Sequence, residues 1–171
     1  MRDSDRIKKL PPYALGKVRA FMSEERAKGV DVIDLGMGNP DGATPPHIVA
    51  KLCQVINDRK THRYSVSKGI PNLRKAVCHR YKEDLGVNLD PDSESIAVIG
   101  AKEGISHLAL ALLDQDDYAI VPNPTYPIHM YSVVIAGGKL ISVPLTKEEG
   151  FVLNLEKVEK QMKNKKPKVM I

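Results

Sequence analysis

Hydrophobic positions along the chain recur in two rhythms. Leu15, Val18, Phe21 and Met22 fall at helical spacing behind Pro11-Pro12 and ahead of Gly29, which predicts a helix over 13–28. Pro45-Pro46 open a second helix that runs to about 56, and Pro71 opens a third that closes near Gly86. Short apolar runs predict strands at 30–35, 96–99, 118–121, 140–143 and 168–171. Helices are predicted between the later ones, over 101–113, from the proline-punctuated turn 122–127 to 136, and over 155–163. Strands that alternate with helices imply βαβ units, hence a mostly parallel sheet with covering helices on both faces. The fold class is therefore α/β. The 168–171 run reads as the opening of one more buried strand, so the sequence is expected to be an incomplete piece of a larger α/β protein. No internal repeat and no linker rich in Ser, Gly or Pro interrupts it.

Composition narrows the class. At 171 residues, 42% hydrophobic and 27% charged, with 12 Gly and 12 Pro, the chain is of ordinary globular make-up, which excludes collagen-like, low-complexity and disordered classes. Its apolar stretches fall short of the roughly 18 residues of a membrane span. The charged start, Met-Arg-Asp-Ser-Asp-Arg, leads into no apolar signal core, so a cytoplasmic protein is expected. Cys53 and Cys78 have no CxxC spacing and read as two thiols in a reducing compartment, with no metal site. Lys and Arg number 26 against 21 Asp and Glu, a net +5 that the run 163–168 largely supplies. A solvated connector accounts for that run, and no aromatic residue is interleaved with it to stack on bases.

Three segments carry candidate chemistry. In Ile99-Gly100-Ala101-Lys102-Glu103-Gly104 a predicted strand turns through glycine straight into a helix, where backbone amides and the helix dipole favour an anion such as phosphate. The glycine spacing is neither a Walker loop nor a GxGxxG fingerprint, and a tight connection with no ligand is the alternative. Asn123-Pro124-Thr125-Tyr126-Pro127 lies just past the C-terminal end of a predicted strand, the ligand side of an open α/β sheet. Tyr126, rigid between two prolines, is a stacking platform or a packed loop aromatic. The loop 36–42 follows an earlier strand and invites the same argument, or is only a turn. Ser65-Val66-Ser67-Lys68 matches Ser-x-x-Lys, yet Gly69 and Pro71 follow at once and the supporting motifs are absent, so Lys68 reads as a loop lysine. His47, His62, His79, His107 and His129 show no ligand spacing and read as structural or exposed. Asp90, Asp92 and Glu94 form an acidic turn.

Taken in order, Gly38-Asn39-Pro40-Asp41, Tyr64-Ser65-Val66-Ser67-Lys68-Gly69-Ile70-Pro71-Asn72-Leu73-Arg74, Gly100-Ala101-Lys102-Glu103-Gly104 and Asn123-Pro124-Thr125-Tyr126-Pro127 resemble the first half of the fold-type I, pyridoxal-phosphate-dependent aminotransferases of class I/II. The wording is most similar to the bacterial alanine (glutamate–pyruvate), aspartate and LL-diaminopimelate aminotransferases. The resemblance implies an N-terminal arm and substrate-loop segment over 1–63, then the first part of a large cofactor-binding domain over 64–171. It implies that backbone amides of Ala101 and Lys102 hold the phosphate of pyridoxal 5′-phosphate and that Tyr126 stacks on the pyridine ring. Tyr64 would reach the cofactor of a partner subunit in a homodimer. Gly38 would let the loop close over the substrate carboxylate, and Tyr13 would approach the substrate.

The implied activity is transfer of an amino group from an amino acid, alanine or glutamate, to a 2-oxo acid through a Schiff base on the cofactor. Its lysine, with the aspartate, asparagine and arginine that complete the site, is expected beyond Ile171, so no catalytic residue is expected within 171 residues and the chain alone is expected to be inactive. An aspartate or LL-diaminopimelate aminotransferase, or another fold-type I enzyme such as a lyase or synthase, is the enzymatic alternative. A cofactor-sensing regulator would need a DNA-binding domain ahead of this region, and a basic nucleic-acid-binding α/β module is the non-enzymatic alternative. No membrane partner is expected.

Overall fold

The computed structural model describes residues 3–36, 38 and 40–171. The chain divides into two compact units, one comprising Pro12–Ala97 and the other Met1–Pro11 with Val98–Ile171.

The second of these contains the sheet. Strands β1 (Tyr118–Asn123), β2 (Lys139–Pro144) and β3 (Pro167–Met170) run parallel in the order β2-β1-β3. Tyr118 pairs with Lys139 and Asn123 with Pro144, while an irregularity between Tyr118 and Ala119 shifts the register against β3. Strand alternation splits the apolar residues between two faces. Ala119 and Val121 of β1 pack with Ala109, Leu113 and Val133, hence against α5 (Ala101–Leu112) and α6 (Pro127–Ala136). Ile120, with Ile141 and Val143 of β2, packs on Val158 of α7 (Leu155–Met162). Helices thus cover both faces, as parallel strands require.

Local chemistry sets the boundaries. The Asn154 side chain accepts from the Lys157 amide at 3.3 Å to cap α7, and Val158 and Met162, one turn apart, face the sheet. Pro127 occupies the first turn of α6, and Gly137 ends it at φ +89°. There the chain reverses tightly: the Asp116 amide donates to Gly137 O at 3.0 Å and the Lys139 amide to Asp117 O at 2.7 Å. A four-residue helix, α1 (Asp5–Lys8), capped by Ser4, lies against α6 through Arg6 Nη1, which donates to Ile135 O at 3.3 Å. Sequence periodicity cannot detect so short an element.

The Pro12–Ala97 unit is helical. It holds α2 (Ala14–Ala27), α3 (Pro46–Ile56) and α4 (Pro71–Leu85), with a 3₁₀ turn at Arg59–Thr61. Gly86 closes α4 at φ +68°, with its amide on Lys82 O and that of Val87 on Tyr81 O, a double C-terminal cap. The helices predicted at 13–28, 46–56 and 71–86 are therefore present. The strands predicted at 30–35 and 96–99 are not formed. A strand is defined by its ladder, and among the described residues neither segment has one: both are irregular, with Ile33 80% and Ile99 92% exposed. The two units divide in sequence between Ala97 and Val98, whereas the resemblance places a division at 63/64.

The start of β3 is tied to the turn ahead of β1 by charge. Lys168 Nζ lies 2.6 Å from Asp117 Oδ2 and 3.6 Å from Asp114 Oδ2. The Lys168 hydrogen bond, then the Asp114 amide, holds the Asp117 carboxyl below its ordinary 3.8, and the same bond holds Lys168 above 10.5. A depressed carboxylate stabilises the fold above its unfolded value and loses that contribution as pH falls through the folded one. The stability difference between wild type and Asp117→Asn is therefore expected to be constant at neutral pH and to close as pH drops below 3.8, read from thermal midpoints. A difference that persists in acid would mean that Asp117 acts through packing and not charge.

Candidate functional site

In the sheet-bearing unit, the C-terminal end of β1 and the start of α5 supply the candidate site. Gly100 precedes α5 with φ +83° and ψ 161°, a conformation open essentially to glycine alone, and a Cβ there would meet nothing within 4 Å. No side chain caps the first-turn amides of the helix, and the positive end of its dipole is not offset by such a cap. Glu103 would oppose an anion here, but its carboxylate folds back to accept from the Ile99 amide. Gly104 packs so closely under this turn that a Cβ would lie 3.2 Å from Val98 Cγ2.

β1 ends in the Asn123–Pro124 peptide, which is cis, and Tyr126 follows as the residue that opens α6. Its ring is half exposed, with Lys102 Nζ 5.4 Å from the centroid, within cation–π range. His129 meets the same ring edge-on at 6.1 Å and 74°, and its Nδ1 is 2.8 Å from Thr125 Oγ1. A cavity of about 200 Å³ beside them is lined by Asn123, Thr125, Met130 and Ser142. The arrangement joins an uncapped helix start, a cation and a braced aromatic face, which chemically suits a planar ring bearing a phosphate. Among the described residues no group of three or more His, Cys, Asp and Glu is gathered as a metal site, and no helix is long and apolar enough to cross a membrane.

Of the residues singled out in the sequence, Lys102 and Tyr126 are brought together, with Ala101 at the helix start beside them. Tyr13, Gly38 and Tyr64 belong to the other unit. Tyr13 precedes α2, and its ring lies 3.6 Å from where a Cβ on Gly16 would stand. Gly38 is exposed with open space at its Cβ position; Met37 and Asn39, the rest of that motif's centre, lie outside the described residues. Tyr64 is fully exposed beside His62 and Arg63. Sequence reasoning read His129 as structural or exposed and missed its contact with Thr125 and Tyr126. Its position three residues after Tyr126, on the first turn of a helix that Tyr126 opens, was the available signal.

Fold and candidate site together are those of an α/β domain with an uncapped helix start and an aromatic face at the end of its central strand. Residues 30–171 match the sequence model of the family described as aminotransferase class I and II, and the chain belongs to that family. It is 50% identical over 166 residues to the glutamate–pyruvate aminotransferase AlaC of Escherichia coli, covering 97% of this chain and 40% of that protein. An LL-diaminopimelate aminotransferase of Dehalococcoides mccartyi is 44% identical, with 96% of this chain and 42% of the relative covered. Among solved structures, a single mutant of Thermus thermophilus aspartate aminotransferase superposes with a TM-score of 0.87 at 32% identity, covering 99% of this chain and 43% of that one. The chain thus spans about 40% of the length of these curated relatives.

Gly100→Ala tests the helix start. Forcing a Cβ into this backbone region is expected to cost about 1–3 kcal/mol, read as a lowered unfolding midpoint. A neutral result would show that the turn relaxes without strain.

Proposed function

We propose that this chain is the cofactor-binding first part of a pyridoxal-phosphate-dependent aminotransferase, with alanine or glutamate as amino donor and a 2-oxo acid as acceptor. The observation that carries the reading is the pairing of Lys102 and Tyr126 at the uncapped start of α5. In this reading the amides of Ala101 and Lys102 hold the phosphate, and the Tyr126 ring fixes the tilt of the pyridine. Lys102 adds positive charge beside both. Thr125 and His129 limit how far Tyr126 can swing. When bound, pyridoxal phosphate supplies an electron sink for bonds to the substrate Cα. Gly38 would offer room and an amide to the substrate carboxylate, and Tyr13 would close on the substrate.

The full exposure of Tyr64 fits a residue whose partner is another molecule, here the cofactor phosphate of a second subunit in a homodimer. The arm-like segment 1–63 and the large-domain portion 64–171 belong to the same proposal, as does a cytoplasmic setting. The lysine, aspartate, asparagine and arginine that complete such a site are assigned to sequence beyond Ile171, so these residues alone are expected to bind cofactor components without turning over substrate. The names of the relatives keep aspartate and LL-diaminopimelate as alternative donors.

The test is made on the full-length protein. Titration of the apoprotein with pyridoxal phosphate is expected to show saturable binding, and Tyr126→Ala is expected to weaken it about three- to tenfold, the worth of one aromatic stack. A screen of alanine, glutamate, aspartate and LL-diaminopimelate with 2-oxo acids then ranks the donors. Absence of cofactor binding by the wild type would sink the reading.

A further inference from the structure

Two features noted in the sequence, the loop lysine Lys68 and the acidic turn 90–94, meet within the Pro12–Ala97 unit. Lys68 Nζ donates to the Asp92 carbonyl at 3.2 Å, and the Ala97 amide donates to the Lys68 carbonyl at 3.0 Å. Gly69, at φ +85°, lies so close that a Cβ on it would stand 2.4 Å from Ala97 Cβ. The backbone at 68–69 is thus flush against the 92–97 segment. The Gly69 amide also donates to Val66 O at 2.7 Å, which closes the turn that follows Tyr64 and Ser65.

The same segment is gripped by α4. Arg74, in the first turns of that helix, is 7% exposed, and its Nη2 lies 3.1 Å from Asp92 Oδ1. Its Nε is buried with no hydrogen-bond partner among the described residues. A guanidinium buried with an orphaned donor is a poor way to fill a helix face for stability alone, since Cys78 one turn later fills the same face without charge. The turn it grips is stiff: the Asp92 amide and the Ser93 hydroxyl both donate to the Asp90 carboxylate, and the Asp90 amide donates to Glu94 Oε2 at 2.8 Å. The Ser93 hydroxyl, then the Asp92 amide, holds the Asp90 carboxyl below its ordinary range, and the charge of Arg74 adds to this.

Tyr64 itself is fully exposed, so where its ring stands depends on the backbone that carries it. We propose that Arg74 is the positioning residue for Tyr64: through Asp92 and Lys68, the 92–97 segment is a strut between the start of α4 and the loop that bears the tyrosine. The inference rests on the reading of Tyr64 as a cofactor contact given above. It assigns purpose to the buried arginine, which neither amphipathic packing nor the acidic turn alone explains.

The test uses the full-length protein, titrated with pyridoxal phosphate in wild-type and Tyr64→Phe backgrounds. Asp92→Asn keeps the shape of an exposed side chain, and Arg74→Lys keeps the charge but loses the planar fork. Each is expected to weaken cofactor binding about three- to tenfold in the wild-type background and under about twofold when Tyr64→Phe is present. In the apoprotein, each is expected to speed hydrogen exchange at the Ala97 amide by about tenfold, a readout independent of the cofactor. Equal weakening in both backgrounds, or none in either, overturns the inference, because the pair then acts on the fold at large or not at all. If Tyr64→Phe alone leaves the dissociation constant unchanged, the reading of Tyr64 itself fails and the strut with it.

Discussion

Everything at the candidate site hangs from β1, among the described residues the one strand hydrogen-bonded on both sides, and covered on both faces. Its alternation sends Ala119 and Val121 toward α5 and α6 and Ile120 toward α7, so a shift by one residue would turn each apolar side chain to the wrong cover. That constraint fixes where β1 stops, and so where Asn123, Thr125 and Tyr126 emerge. Because α5 packs on the face that Ala119 and Val121 supply, its start is held beside the same strand end, and Lys102 comes within 5.4 Å of the Tyr126 ring centroid. The small Ala119 and Ala109 in that layer let the helix sit close to the sheet.

How far the sequence reveals this depends on whether a signal is local. The helices opened by Pro46, Pro71 and Pro127 are legible because proline at a first turn and glycine at a close act within a few residues, as Gly86 and Gly137 show. The strands at Tyr118–Asn123 and Lys139–Pro144 are legible because their covers follow directly in sequence. The apolar runs at 30–35 and 96–99 carry the same composition and yet form no ladder. Leu35 and Ile99, each 92% exposed, lack the burial that stabilises a strand within the described residues. Composition announced a capacity to pair; pairing itself is not a property of the segment.

Site residues divide the same way. The turn at Gly100 is readable because a glycine between an apolar run and a helix marks a backbone other residues avoid, and its φ of +83° is such a backbone. Tyr126 is readable because prolines flank it and it follows a strand. His129 is not, since its meaning lies in a ring 6.1 Å away and in the Thr125 hydroxyl, neither of which alters the pattern of the helix it sits on. Arg74 is hidden more deeply. Pattern reading assigns an arginine on a helix to solvent, and only its burial and its bond to Asp92, from a turn far along the chain, reverse that assignment.

Arg74 and Lys102 show how one residue type of chemistry is put to opposite uses. Lys102 stands exposed at the first turn of α5, a helix start with no side-chain cap, and its ammonium lies over the Tyr126 ring. Arg74 withdraws its charge from water, and it can do so because Asp92 supplies the opposite charge while remaining 80% exposed itself. The first arrangement leaves the charge in contact with solvent, where its partners are screened and exchange at low cost. The second favours a fixed geometry, since separating the pair would leave a buried cation uncompensated. Within the Pro12–Ala97 unit that fixed geometry lies beneath segments that the sequence alone marks as irregular, the loop at 65–69 and the turn at 90–94.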